Sequence, residues 1–171
     1  RQYFGTKRFD REGDSRLHLH SAAGLMHDNF RLSNMDYGHV MDAALRLEGS
    51  LQAAAKVLRL AAFNVFAHNR DDHSKNVAFL MDGQGAWRLA PAYDLTYSQS
   101  SHGYQSMMVA GKSKSPGRKE FLDLARNFSI NKPETMLEQV QEALEKWSPL
   151  AKDAGVSQAM QREIGKALGI F

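Results

Sequence analysis

The sequence predicts an α+β domain that is mainly helical, on three observations. Residues 50–67 carry a strong apolar helical period, residues 77–90 read as a tight β-hairpin, and the segments after Phe121 are amphipathic and helical. With 171 residues the chain fits one domain or a large subdomain, long enough to bury a core. A content of 43% hydrophobic and 24% charged residues is that of an ordinary globular protein.

Taken in order, Tyr3 to Phe9 carries strand signals, with aromatics and the β-branched Thr6. Leu17 and Leu19 alternate with Arg16, His18 and His20, and Glu12-Gly13-Asp14 is a turn between the two stretches, so a short hairpin is expected. An irregular stretch follows to Ser33. The spacing then predicts a helix over Met35 to Leu47 and another over Ser50 to Ala67. In the second, Leu51, Ala55, Leu58, Ala62 and Val65/Phe66 recur at helical spacing and Ser50 caps the start.

The polar run His68 to Asn76 follows directly and is expected to be an exposed loop on a rigid element, where site residues usually sit. Val77 to Met81 reads as a buried strand, Asp82-Gly83-Gln84-Gly85 as a turn, and Ala86 to Ala90 as the return strand ended by Pro91. Thr96 to Arg118 is polar and rich in Ser, Gly and Lys, an expected irregular segment or lid. Beyond it, Phe121, Leu122, Ala125 and Phe128 form one apolar face, and Met136, Val140, Ala143 and Trp147 another, with Pro133 at a helix start. Ile164 and Leu168 belong to a last short helix before Gly169.

The absence of cysteine excludes disulfides and thiolate metal sites and is compatible with a reducing cytoplasm, the expected location. No stretch approaches the roughly 20 apolar residues of a membrane span, so no membrane association is expected. Net charge is only +3 although the pI is about 9.2. The densest positive run, Lys112, Lys114, Arg118 and Lys119, reads as a solvated loop or, more sharply, as a patch for an anionic partner. With so small a net charge and no recognisable reading helix, direct DNA binding is not expected.

Three polar positions carry candidate chemistry: Asp71, Asn76 and Asp94. The spacing Asp-x-x-x-x-Asn is that of a kinase catalytic loop, where the Asp takes the proton of a substrate hydroxyl and the Asn gives a neutral oxygen to magnesium. Magnesium takes hard oxygen ligands and usually only one or two protein carboxylates. Asp94 lies 18 residues beyond Asn76, yet the hairpin out and back, about 17 Å each way, returns it to the same neighbourhood. Taken alone, these residues also suit a polar structural loop or other metal chemistry.

The run His68-Asn69-Arg70-Asp71-Asp72-His73-Ser74-Lys75-Asn76-Val77-Ala78-Phe79-Leu80, followed by Trp87 to Leu95, resembles the core of HipA-type serine/threonine kinases. That family carries a D-x-H-x-K-N loop, a hairpin and a P-x-Y-D segment in place of the usual D-F-G. Lys7 to Arg11 is similar to its R-F-D-R hinge, and Arg16-Leu17-His18 to the strand after it. The resemblance runs from about residue 4 to 98 and implies a protein-kinase-like C-terminal lobe over 1–171, with a hinge and strand segment at 1–20 and the catalytic loop, hairpin and metal-binding segment at 69–94.

It implies ATP and Mg2+ as cofactors, phosphoryl transfer to Ser or Thr of a protein substrate, and membership of a toxin–antitoxin pair with a DNA-binding antitoxin partner. Asp71 would be the catalytic base, and Asn76 and Asp94 the metal ligands. His73, Ser74, Lys75 and Tyr93 would lie around the nucleotide phosphates, and Lys7, Arg8 and Phe9 would contact adenine. Asp72 departs from the small residue common at its position and is expected to be a solvated loop carboxylate. His18, His20, His27, His39 and His102 are expected to be ordinary surface or core histidines, and Trp87 and Trp147 packing anchors.

A kinase also needs a glycine-rich loop and a strand lysine, neither of which appears after the hinge. An N-terminal lobe, in cis or as a partner, is therefore expected to precede this chain, which begins at Arg1 without a secretory leader and alone would transfer little phosphate. Two rival readings remain at this point. One is a metal-dependent hydrolase using His68, Asp71, Asp72 and His73; the other is a non-catalytic interaction module.

Overall fold

The computed structural model describes residues 5–32, 34–98 and 103–169. It is an α+β fold dominated by helices, with short antiparallel strands. The first part of the expected strand over Tyr3 to Phe9, and His102, lie outside the described residues. Gly5 to Phe9 run without strand pairing.

The hairpin at Gly13-Asp14 is real but minimal: β1 (Arg11–Glu12) pairs with β2 (Ser15–Arg16). β3 (His18–Ser21) does not extend it. It pairs antiparallel with β4 (Ala78–Met81), which pairs in turn with β5 (Trp87–Leu89), giving the order β3-β4-β5. Alternation along β4 sends Phe79 into the main core and Ala78 and Leu80 into a small second core with Ala90, Phe9, Leu17 and Tyr93. The central strand is thus buried on both faces, as its continuous apolar sequence predicts.

After the single turn α1 (Ala22–Leu25), α2 (Tyr37–Glu48) and α3 (Leu51–Phe66) form the helical centre. Gly49 takes a left-handed φ of 65° between them, and the Ser50 hydroxyl accepts from Gln52 N to start α3. The buried face of α3 is Ala53, Ala54, Val57, Leu58, Ala61, Ala62 and Asn64, while Leu51, expected on the apolar stripe, is exposed. Four alanines in that face let neighbouring elements approach closely.

The segment after Thr96 is not one irregular lid. β6 (Tyr104–Val109) and β7 (Lys112–Lys114) form a hairpin, because Gln105, Met107 and Val109 alternate inward through an otherwise polar run. Asp36, the N-cap of α2, fixes it by accepting from Gly111 N at 2.7 Å. Lys112 and Arg118 are paired with Glu120 and Glu138, so the basic run is a strand and helix start rather than a solvated loop. α4 (Arg118–Asn127), α5 (Pro133–Glu145), α6 (Trp147–Asp153) and α7 (Gln158–Ala167) complete the chain. Trp87 packs on the core and Trp147 donates to Gln161 O, both as anchors. No helix among the described residues is long and apolar enough to cross a membrane.

Candidate active site

The loop that follows α3 is aimed by the way the helix ends. His68 adopts φ 55°, its N–H reaches Val65 O, and Asn69 N donates to Asn64 O at 2.8 Å, the two bonds of a Schellman motif. The next residues are fixed from outside the loop. Ser98 Oγ accepts from the backbone N–H groups of Arg70 (2.8 Å) and Asp71 (3.1 Å), and Ser106 Oγ donates to Arg70 O. The Asp71 main chain is therefore immobilised while its carboxylate stays 68% exposed. His73 Nε2 stands 3.9 Å from Asp71 Oδ1, too far for a hydrogen bond but close enough to feel its charge.

Asp72 is not the solvated carboxylate expected of it. It is 1% exposed and accepts from Tyr37 OH (2.8 Å), Gln105 Nε2 (3.1 Å), Ser106 N (2.8 Å) and Met107 N (3.4 Å). Asn64 Nδ2 donates to the same Tyr37 oxygen and Asn69 Nδ2 to Asn64 Oδ1, which extends the network into α3. Burial pushes the Asp72 carboxyl above its ordinary range, opposed by the bonds from Tyr37, Gln105 and the two amides. Three residues of the polar run, Asn69, Asp72 and Ser74, are thus buried, against the expectation of an exposed loop throughout. The signal available in the sequence was Asn64, a polar residue in the apolar stripe of α3 that needs buried partners.

Ser74 faces inward too: it is fully buried, and its hydroxyl donates to Asp28. Asn76 closes the loop with Nδ2 donating to Asp71 O at 3.0 Å. The return strand brings the residues after Pro91 back to the loop. Tyr93 OH donates to Lys75 O, and Asn69 Nδ2 donates to Asp94 O at 3.2 Å, so both ends of the loop meet the residues after Pro91. Asp94 itself has φ 54°, a conformation that costs a non-glycine residue about 1–2 kcal/mol and that the Asn69 bond helps to impose. Burial first, and then the nearby Asp94 charge, raise the Tyr93 pKa.

A cleft of about 690 Å³ opens beside Asp94, lined by Lys7, Arg8, Phe9, Leu19, Tyr93 and Leu95 among others. It gathers five of the expected site residues, from segments some 85 positions apart. Phe9 and Tyr93 stand with ring centroids 5.7 Å apart and planes tilted by 37°, an aromatic wall to the cleft. Arg8 grips the buried Asp10 through two bonds of 2.8 and 2.6 Å and holds its carboxyl below the usual range, fixing the segment from Arg8 to Asp10. His73, Ser74, Lys75 and Asn76 do not line this cleft. The cleft thus joins an apolar wall to the Asp94 carboxylate at its edge.

The same geometry opposes the hydrolase reading. Among the described residues no three His, Asp or Glu side chains converge as a metal site. Asp72 is turned into the core, and His68 meets Arg70 Nη2 at 3.3 Å on the wall of a separate cavity, where burial and then the Arg70 charge lower its pKa.

The model of the HipA-like C-terminal domain matches residues 1–148. No curated protein sequence matches the chain. Among solved structures, HipA in the Shewanella oneidensis MR-1 toxin–antitoxin complex of HipA, HipB and operator DNA superposes with a TM-score of 0.71 at 15% identity. The alignment covers 96% of this chain but 46% of that one, so the chain spans less than half the length of that HipA, and the likeness is one of fold. With the family model matched over most of its length, the chain belongs to the HipA-like C-terminal domain family.

Proposed function

We propose that this domain is the C-terminal lobe of a protein kinase that transfers a phosphoryl group from ATP to a Ser or Thr hydroxyl of a protein. The reading rests on one observation above all. The segment carrying Asp94 is bonded to the catalytic loop at Lys75 O and, through Asn69, at Asp94 O, which sets a carboxylate and the Asn76 amide oxygen on neighbouring segments. In this reading Asn76 Oδ1 and Asp94 hold Mg2+, which would neutralise charge on the phosphates. Asp71 orients the acceptor hydroxyl and takes its proton. Lys7 to Phe9 and Tyr93 bind the adenine end of the nucleotide. Lys75 adds positive charge near the transferring group, with His73 beside it.

The family and the HipB-bound neighbour support a toxin of a toxin–antitoxin pair, controlled by a DNA-binding antitoxin, with an N-terminal lobe supplying the remaining phosphate contacts. The test is Mg2+-dependent nucleotide binding by the full-length protein, wild type against Asp94→Asn. Losing the one charged side chain of the proposed metal pair is expected to weaken Mg–ATP affinity about tenfold or more, with metal-free nucleotide binding little changed. Equal Mg–ATP affinity in the two proteins overturns the reading, and leaves a non-catalytic interaction module as its replacement.

A further inference from the structure

The segment between α1 and α2 has no role in the site as described so far, yet it grips the catalytic loop at two points. Asp28 accepts from Ser74 Oγ, and Phe30 packs on the residues to either side of Ser74. The Phe30 ring meets the His73 ring edge-on at a centroid distance of 5.1 Å. Lys75 Nζ lies 3.8 Å from the centroid of the same ring, and Arg31 Cζ 5.2 Å from it. Among the described residues Lys75 pairs with no carboxylate, so the aromatic face is what locates its ammonium group.

We infer that Phe30 is a positioning residue for phosphoryl transfer: an aromatic platform that holds the Lys75 ammonium in place through a cation–π contact. The inference deepens the kinase reading and rests on it. Lysine has a long, mobile side chain, and an exposed one wanders through many rotamers. A charge that must meet a developing negative charge works best when already in place. The face of an aromatic ring holds an ammonium without neutralising it, which a carboxylate partner would do. The Asp28–Ser74 bond and the edge contact with His73 keep the ring in register with the loop, so platform and cation move together. Phe30 touches no reacting atom in this arrangement and acts only through Lys75.

The test uses the full-length protein with lysines reductively methylated with 13C, the Lys75 signal being assigned by Lys75→Arg. In the wild type the Lys75 dimethyl resonance is expected upfield of the other lysines, displaced by the ring current of Phe30. Phe30→Tyr is expected to keep that displacement and Phe30→Leu to abolish it. In parallel, Phe30→Leu is expected to lower kcat of phosphate transfer about threefold to thirtyfold, the range from an exposed to a desolvated cation–π contact, with KM for Mg–ATP less affected and activity restored by Phe30→Tyr. A wild-type Lys75 resonance without displacement overturns the inference, and needs no variant that folds. So does a Phe30→Leu protein that loses the displacement yet transfers phosphate at the wild-type rate. Complete absence of transfer in the wild type removes the kinase reading and the positioning role together. In that event the ring-current result still reports the contact separately.

Discussion

Asp71→Asn is expected to lower kcat for phosphate transfer by about 10²- to 10⁴-fold, the usual contribution of a positioned general base, while nucleotide affinity stays unchanged. The substitution is close to a pure test of charge and basicity. Asn has the shape of Asp, and the features that place residue 71 are main-chain ones: its N–H to Ser98 Oγ and its carbonyl to Asn76 Nδ2. Neither depends on the carboxylate. The side chain is 68% exposed, so unfolding stability should move by no more than about 0.5 kcal/mol, the range of ordinary surface changes. Metal and nucleotide contacts belong to other residues in the proposed site, which predicts a fall in kcat without a rise in the Kd of Mg–ATP. Single-turnover transfer and calorimetric binding on the same preparations check both halves. A variant that transfers phosphate as fast as the wild type would remove Asp71 from the chemistry.

The parts of this site that could be read from the sequence are those set by local signals. A core helix that stops at a polar run announces a presented loop, and a four-residue turn between apolar strands announces the return of the chain, so the proximity of Asp94 to the loop followed from counting residues. The parts that could not be read are those completed from far away. Asp72 looks like any loop carboxylate until Tyr37, 35 residues earlier, and Ser106, 34 residues later, supply its partners. Ser74 is the same case, with Asp28 as its distant acceptor. β6 was legible in principle, since Gln105, Met107 and Val109 alternate, but a glutamine at an inward position breaks the apolar pattern, and its reason is again Asp72. β3 was read as half of a local hairpin because its true partner, β4, lies about 60 residues on.

Asp72→Ala is expected to cost about 3–5 kcal/mol of stability, among the largest effects a single substitution produces. Four donors lose their acceptor at once: Tyr37 OH, Gln105 Nε2 and the N–H groups of Ser106 and Met107. Each unsatisfied buried donor costs about 1–3 kcal/mol, and removing a buried charge returns part of that sum. The damage is directed at the loop, because the donors come from α2 and β6 and converge on the residue next to Asp71. Denaturant midpoints should therefore fall in Asp72→Ala, with loss of protection at the Ser106 and Met107 amides in hydrogen exchange. The pH dependence separates a buried carboxylate from a merely well-packed side chain. Burial raises the Asp72 pKa above its unfolded value, so its contribution to stability is fullest below about pH 4 and is lost as pH rises through the raised pKa. Asp72→Asn does not titrate there. The stability gap between wild type and Asp72→Asn should consequently be widest in acid and narrow as the pH climbs toward neutrality, whereas a gap that widens with rising pH would mean that the hydrogen bonds to the carboxylate outweigh its burial.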